Sequence, residues 1–207
     1  MLQTLGIIFW PGVFLLMSKF NFHSDSKTNH KLQVNFTSSL NCYGSLVLGG
    51  IYALTNNPIY RTIAIQNSIN YFTWDTFRII LLNSKNENIY IYHHILSLLM
   101  LEYTRNPIYT DYLFKSYVFG ESSNILMYIL YYLIKTKKTH LQKYIQFCHI
   151  LWYGYWRIPW YFKELYYNKS SLPLIVYYPS IVLFLVGIKW WVNQCISLRN
   201  LVPIKGV

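Results

Sequence analysis

The stretch Ile89-Tyr90-Ile91-Tyr92-His93-His94-Ile95-Leu96-Ser97-Leu98-Leu99-Met100-Leu101 sets two adjacent imidazoles in an otherwise almost wholly apolar run. In a bilayer such a pair is costly to place and marks a functional site by default. In a water-soluble core the same pair would be satisfied structural histidines. The reading therefore turns on whether the chain lives in a membrane.

Composition answers that question. The 207 residues are 54% hydrophobic and only 12% charged, against about a quarter charged in soluble domains. Such a chain is short of the groups that solvate a surface. Its 21 Tyr and 7 Trp suit membrane interfaces. The net charge of +11 comes with no basic stripe and no nucleic-acid motif, so nucleic acid is excluded as a partner. Cys42, Cys148 and Cys195 lie in separate segments without C-x-x-C spacing and read as apolar fillers. The expected fold is all-α, a polytopic transmembrane helix bundle of about seven spans, a six-span core plus one.

A membrane-spanning helix takes roughly 17–25 apolar residues, and seven apolar stretches, some at or below the short end of that range, can be laid along the chain. The first covers residues 2–17 and is read as a retained span, because no positive segment precedes it. A polar loop at 18–31 follows, then spans at 34–54, 69–82, 89–103, 109–134, 140–162 and 173–192, with a short loop at 83–88. The third is the least hydrophobic, which leaves a re-entrant segment open there. Three parts follow: residues 1–30 as first helix and loop, 31–195 as the six-helix membrane domain, and 196–207 as a cytoplasmic tail. Lys19, Lys27, Lys31, Lys85, Lys135, Lys137, Lys138, Arg199 and Lys205 fall on one side. Arg61, Arg105, Lys163 and Lys169 fall on the other. The imbalance puts the N-terminus in the lumen and the C-terminus in the cytoplasm.

Eight polar groups inside the spans need an explanation: Asp75, Arg78, His93, His94, Lys115, Glu121, His149 and Arg157. Asp75 and Arg78 are spaced to neutralise each other on one helix face. His93 and His94 are about 100° apart around a helix, so one is expected in a cavity and the other against a neighbouring helix. No metal is expected, because the H-E-x-x-H and H-x-E spacings are absent. Glu121 stands in a polar island, Gly120-Glu121-Ser122-Ser123-Asn124, whose hydroxyls and amide suit helix–helix hydrogen bonds. A carboxylate there calls for more.

The order of these landmarks resembles the TLC-domain family. Asn35-Phe36-Thr37-Ser38-Ser39-Leu40-Asn41, Tyr71-Phe72-Thr73-Trp74-Asp75, His93-His94, Gly120-Glu121-Ser122-Ser123-Asn124 and Trp156-Arg157-Ile158-Pro159 follow one another as in its members. The resemblance implies a multi-helix membrane protein, largely of the endoplasmic reticulum, acting in membrane-lipid metabolism. Ceramide synthases of that family move an acyl group from acyl-CoA to a sphingoid amine. Their acidic cluster after the histidine pair, and their homeobox-like extension, are absent here, and Asn41 stands where many other members carry histidine. The closer likeness is to the small TLC-domain proteins.

The resemblance implies catalytic roles for His93, His94, Asp75 and Glu121, and substrate contacts for Arg157, Ser122, Asn41 and Tyr71. A histidine would act as base or nucleophile, a carboxylate would orient it, Arg157 would hold a phosphate or thioester oxygen, and apolar walls would take an acyl chain. No bound cofactor is expected; acyl-CoA would be the co-substrate, and membrane lipids the partners, with a homodimer open. The alternative is a non-enzymatic lipid-binding or membrane-composition protein built around the same polar cavity.

Overall fold

The computed structural model describes residues 2–82 and 88–201. They form α1 (Leu2–Met17), α2 (Ser26–Thr55), α3 (Pro58–Leu81), α4 (Asn88–Tyr103), α5 (Thr110–Lys135), α6 (Thr139–Tyr155), a π turn (Trp156–Trp160), α7 (Tyr161–Asn168) and α8 (Leu174–Leu201). The fold is all-α, with no strand among the described residues. The expected 83–88 loop and the cations Lys85 and Lys205 lie outside them, apart from Asn88, the first residue of α4.

Local chemistry sets the helix ends. The Asp25 carboxylate accepts a hydrogen bond from Thr28 N at 2.7 Å and starts α2, satisfying one of the free N–H groups of the first turn. The Asn56-Asn57-Pro58 corner divides the work. Asn56 takes the left-handed conformation (φ 52°) that ends α2, a role asparagine fills among the few non-glycine residues that tolerate it. Asn57 caps Ile59 N, and Pro58 opens α3, where its missing N–H costs nothing.

α2, α3 and α8 extend well beyond the expected spans. α2 begins at Ser26, so only residues 18–25 link it to α1. The Gln33 amide reaches back to the carbonyls of Ser18 and Phe20 and holds that link against the helix. α3 has 24 residues, about 36 Å of continuous helix, without the internal break of a hairpin. Its middle reads as polar, but Gln66 donates to Asn70 within the helix, and Asn67 and Ser68 donate to Asn41 Oδ1 of α2. At the other end, α8 runs unbroken through 196–201, so the 195/196 division falls inside a helix.

The order of packing is a closed ring: α2 on α3, α3 on α4, α4 on α8, α8 on α6, α6 on α5 and α5 back on α2, with α1 against α2 and α3 outside it. The ring is unusual in what it buries. Gln33, Asn41, Asp75, His94, Glu121, Gln146, His149 and Arg157 are all at most 8% exposed, while Val47, Leu54, Phe77, Tyr92, Phe147, Leu151 and Leu185 are more than half exposed. By length and composition, one described helix, Leu174–Asn200, qualifies alone as a membrane span. α1, α4 and α6 are shorter, at 16, 16 and 17 residues, and α2, α3 and α5 carry buried polar residues.

Candidate functional site

Helix periodicity separates the two histidines. The His94 ring turns toward α3, where Nε2 faces Asp75 Oδ2 at 3.7 Å and Nδ1 lies 3.4 Å from Thr76 Oγ1. Thr76 also donates its hydroxyl proton to Phe72 O at 2.7 Å. Asp75 spends its other oxygen on Arg78 Nε at 2.6 Å. Asp75, Arg78 and His94 thus form one buried, mutually engaged cluster.

The His93 ring turns the other way. It packs edge-on against Trp190 of α8 at 5.7 Å and Phe72 at 6.2 Å. It lines a cavity of about 60 Å3 between α4, α5, α7 and α8. Its Nδ1 is buried with no hydrogen-bond partner.

Glu121 of α5 and Arg157 of the π turn open onto that same cavity, together with Ser97, Ser116, Tyr117 and Asn124. The π turn arises where Pro159 interrupts the ladder of the sixth rod: proline has no N–H to donate and crowds the preceding turn, and such turns recur at functional sites. Arg157 is 7% exposed. Its guanidinium lies over the Tyr161 ring at 5.3 Å, a cation–π contact, and its Nε has no hydrogen-bond partner. No ion pair of 4.0 Å or less joins Glu121 or Arg157 to any described residue.

Space for the arginine comes from two glycines. A Cβ at Gly120 would lie 2.8 Å from Nη1, and one at Gly187 would lie 2.8 Å from Nε. Both are closer than real Cβ atoms approach.

The remaining expected residues lie off this cavity's lining. Tyr71 bonds Ser38 Oγ through its hydroxyl at 2.6 Å. Asn41 accepts from Asn67 Nδ2 at 3.0 Å and from Ser68 Oγ at 3.2 Å. Ser122 is buried, and its carbonyl accepts from Trp152 Nε1 at 2.6 Å. The Asn41 group nonetheless touches the cavity wall, since Ser68 Oγ lies 2.5 Å from the Tyr117 hydroxyl. Lys115 is exposed on the outer face, and His149 is buried beside Tyr153, away from the lining. Among the described residues, no three His, Cys, Asp or Glu side chains gather as a metal site would require.

Sequence reading missed Ser97, Ser116, Tyr117 and the two glycines. Gly187 had a signal, as the lone small residue within the apolar stretch Ile181–Val192 of α8. The cavity is small, about 60 Å3. It holds a few waters or one small polar group, well short of the ~300–1,000 Å3 of sites that enclose drug-sized ligands. An acyl chain does not fit inside it. Comparison with family models, with curated proteins and with solved structures finds no match to this chain.

Proposed function

We propose that this chain is a polytopic membrane protein, similar to small TLC-domain proteins, whose ring of helices takes the polar end of a membrane lipid while its acyl chains stay outside. Support for the membrane comes from the reversal of polarity: a polar interior inside an apolar exterior is expected where the surroundings are hydrocarbon rather than water. The loop cations favour a lumenal N-terminus and a cytoplasmic C-terminus, in the endoplasmic reticulum by the TLC resemblance.

Within that setting the reaction best suited to the cavity is acyl transfer to a lipid amine. The observation that carries it is the convergence of His93, Glu121 and Arg157, from three separate elements, on one small cavity. The acceptor nitrogen attacks the thioester carbonyl of acyl-CoA, forming the C–N bond and breaking C–S. His93 takes the proton that nitrogen loses and returns it to the departing thiolate. Arg157 holds anionic oxygen. Asp75 serves His94 and Arg78 and belongs to the framework of the site.

The second reading is lipid binding without turnover, and the volume of the cavity favours it, because little room is left for a thioester beside a headgroup. Isotopically labelled acyl-CoA supplied to the purified protein in nanodiscs separates the two. Labelled acyl-lipid formed by the wild type and lost in His93→Ala supports transfer; lipid bound with no label incorporated supports the second reading.

A further inference from the structure

Glu121 and Arg157 are each 7% exposed and open on one cavity, yet no ion pair within 4.0 Å engages either. Two opposite charges held this way in a medium of low polarity are a demanding arrangement. The Glu121 carboxyl has Cys42 and Asn124 as hydrogen-bonding neighbours, whereas Arg157 Nε has none, and a buried charge without an opposite one beside it is costly. The Arg157 side chain has little freedom to swing across to the carboxylate, since it is packed over Tyr161 and flanked by the backbone at Gly120 and Gly187. The site therefore presents a carboxyl group and a guanidinium on the wall of one space of about 60 Å3.

The charge balance selects the occupant. With both groups ionised the cavity sums to zero. A purely anionic or purely cationic headgroup would bring one uncompensated charge into the bundle, which is costly at membrane depth. A headgroup with both charges brings none, and it satisfies both walls at once. The hydroxyls of Ser97, Ser116 and Tyr117 are at hand for remaining oxygens.

From this geometry we infer that the cavity between Glu121 and Arg157 is selective for a zwitterionic aminophospholipid headgroup, its ammonium toward Glu121 and its phosphate toward Arg157. This rests on the proposed lipid-handling role and names the class of acceptor. The ammonium gives its first proton to the Glu121 carboxylate, and the amine so formed is the nucleophile in the transfer scheme, its second proton passing through His93 to the thiolate.

The test is competitive binding by native mass spectrometry of the detergent-solubilised full chain. Phosphatidylethanolamine, phosphatidylglycerol and a long-chain primary amine of matched chain length are offered together. The wild type is expected to retain phosphatidylethanolamine at least tenfold over either competitor. Glu121→Gln leaves the cavity positive and should shift preference to phosphatidylglycerol; Arg157→Gln leaves it negative and should shift preference to the amine. The Glu121→Gln/Arg157→Gln double variant controls for folding and should lose all preference while keeping its thermal transition. A residue acting only in packing would weaken all three lipids alike. Lipid retention with the same preference in all four proteins overturns this inference and leaves the lipid-handling role standing. Retention of no lipid by the wild type overturns both.

Discussion

Gly187 of α8 stands against the shaft of Arg157: a Cβ there would lie 2.8 Å from Nε and 3.1 Å from Cγ of the arginine. Those atoms belong to the middle of the side chain, which moves less freely than its tip, and the Tyr153 hydroxyl at 3.3 Å crowds the same position. At Gly120 the colliding atom is Nη1, the mobile tip. Gly187→Ala should therefore cost about 1–3 kcal/mol, as overpacking of a filled site does, and should lower phospholipid retention. Gly120→Ala should cost less. Thermal unfolding in detergent, run beside lipid retention, orders the two.

The Asp75–Arg78 pair is buried, with side chains 7% and 8% exposed and a contact of 2.6 Å. Removing one member of such a pair costs about 3–5 kcal/mol, whereas replacing both by apolar groups of similar size is often close to neutral. Asp75→Asn should fall toward the lower figure, since asparagine keeps one hydrogen bond. Asp75→Leu combined with Arg78→Met should cost less than Asp75→Leu alone. Unfolding titrations in sodium dodecyl sulfate provide the comparison.

Asp25 caps α2 from solvent, and the hydrogen bond from Thr28 holds its carboxyl below the ordinary value of 3.8. A lowered folded value means that the charged cap stabilises the native state above the ordinary carboxylate range. That contribution is lost as pH falls through the folded value. Amide exchange at Thr28 should accelerate as pH falls below about 4, beyond the intrinsic dependence of exchange on pH. In Asp25→Asn the excess should vanish.

His93 and His94 should fail differently when replaced. His94 belongs to the Asp75 cluster and His93 to the cavity. His93→Ala should abolish acyl transfer with little change in thermal stability. His94→Ala should lower stability, by withdrawing a partner from Asp75 and Thr76, and reduce activity only as far as the fold suffers. Equal loss of stability in both would remove the distinction.

Much of this was legible in the chain. The divergence of the two histidines follows from helical geometry alone, and the spacing of Asp75 and Arg78 foretold their pairing. The middle of α3 was illegible to hydropathy, because Asn67 and Ser68 face Asn41 and Ser45 across the α2–α3 contact, and a linear average counts an inward polar residue as an outward one. The grip on Arg157 was illegible for a different reason. Gly120 and Gly187 are 67 positions apart in the sequence, and only the closed ring brings both against one side chain. Tyr71 and Asn41 were read as substrate contacts, and they lie in hydrogen-bonded helix contacts off the cavity lining.

Every functional statement depends on the bundle crossing the membrane with alternating loops, and impermeant thiol labelling in sealed microsomes tests that most directly. With Cys42, Cys148 and Cys195 replaced by Ala, single cysteines are placed at Asn56, in the α2–α3 corner, and at Lys137, in the α5–α6 turn. The account predicts that the protein resists alkaline extraction. It also predicts that the cysteine at 137 reacts from the cytoplasmic side, while the one at 56 reacts only after the vesicles are opened. Labelling of both from the same side, or release of the protein by alkali, would contradict it.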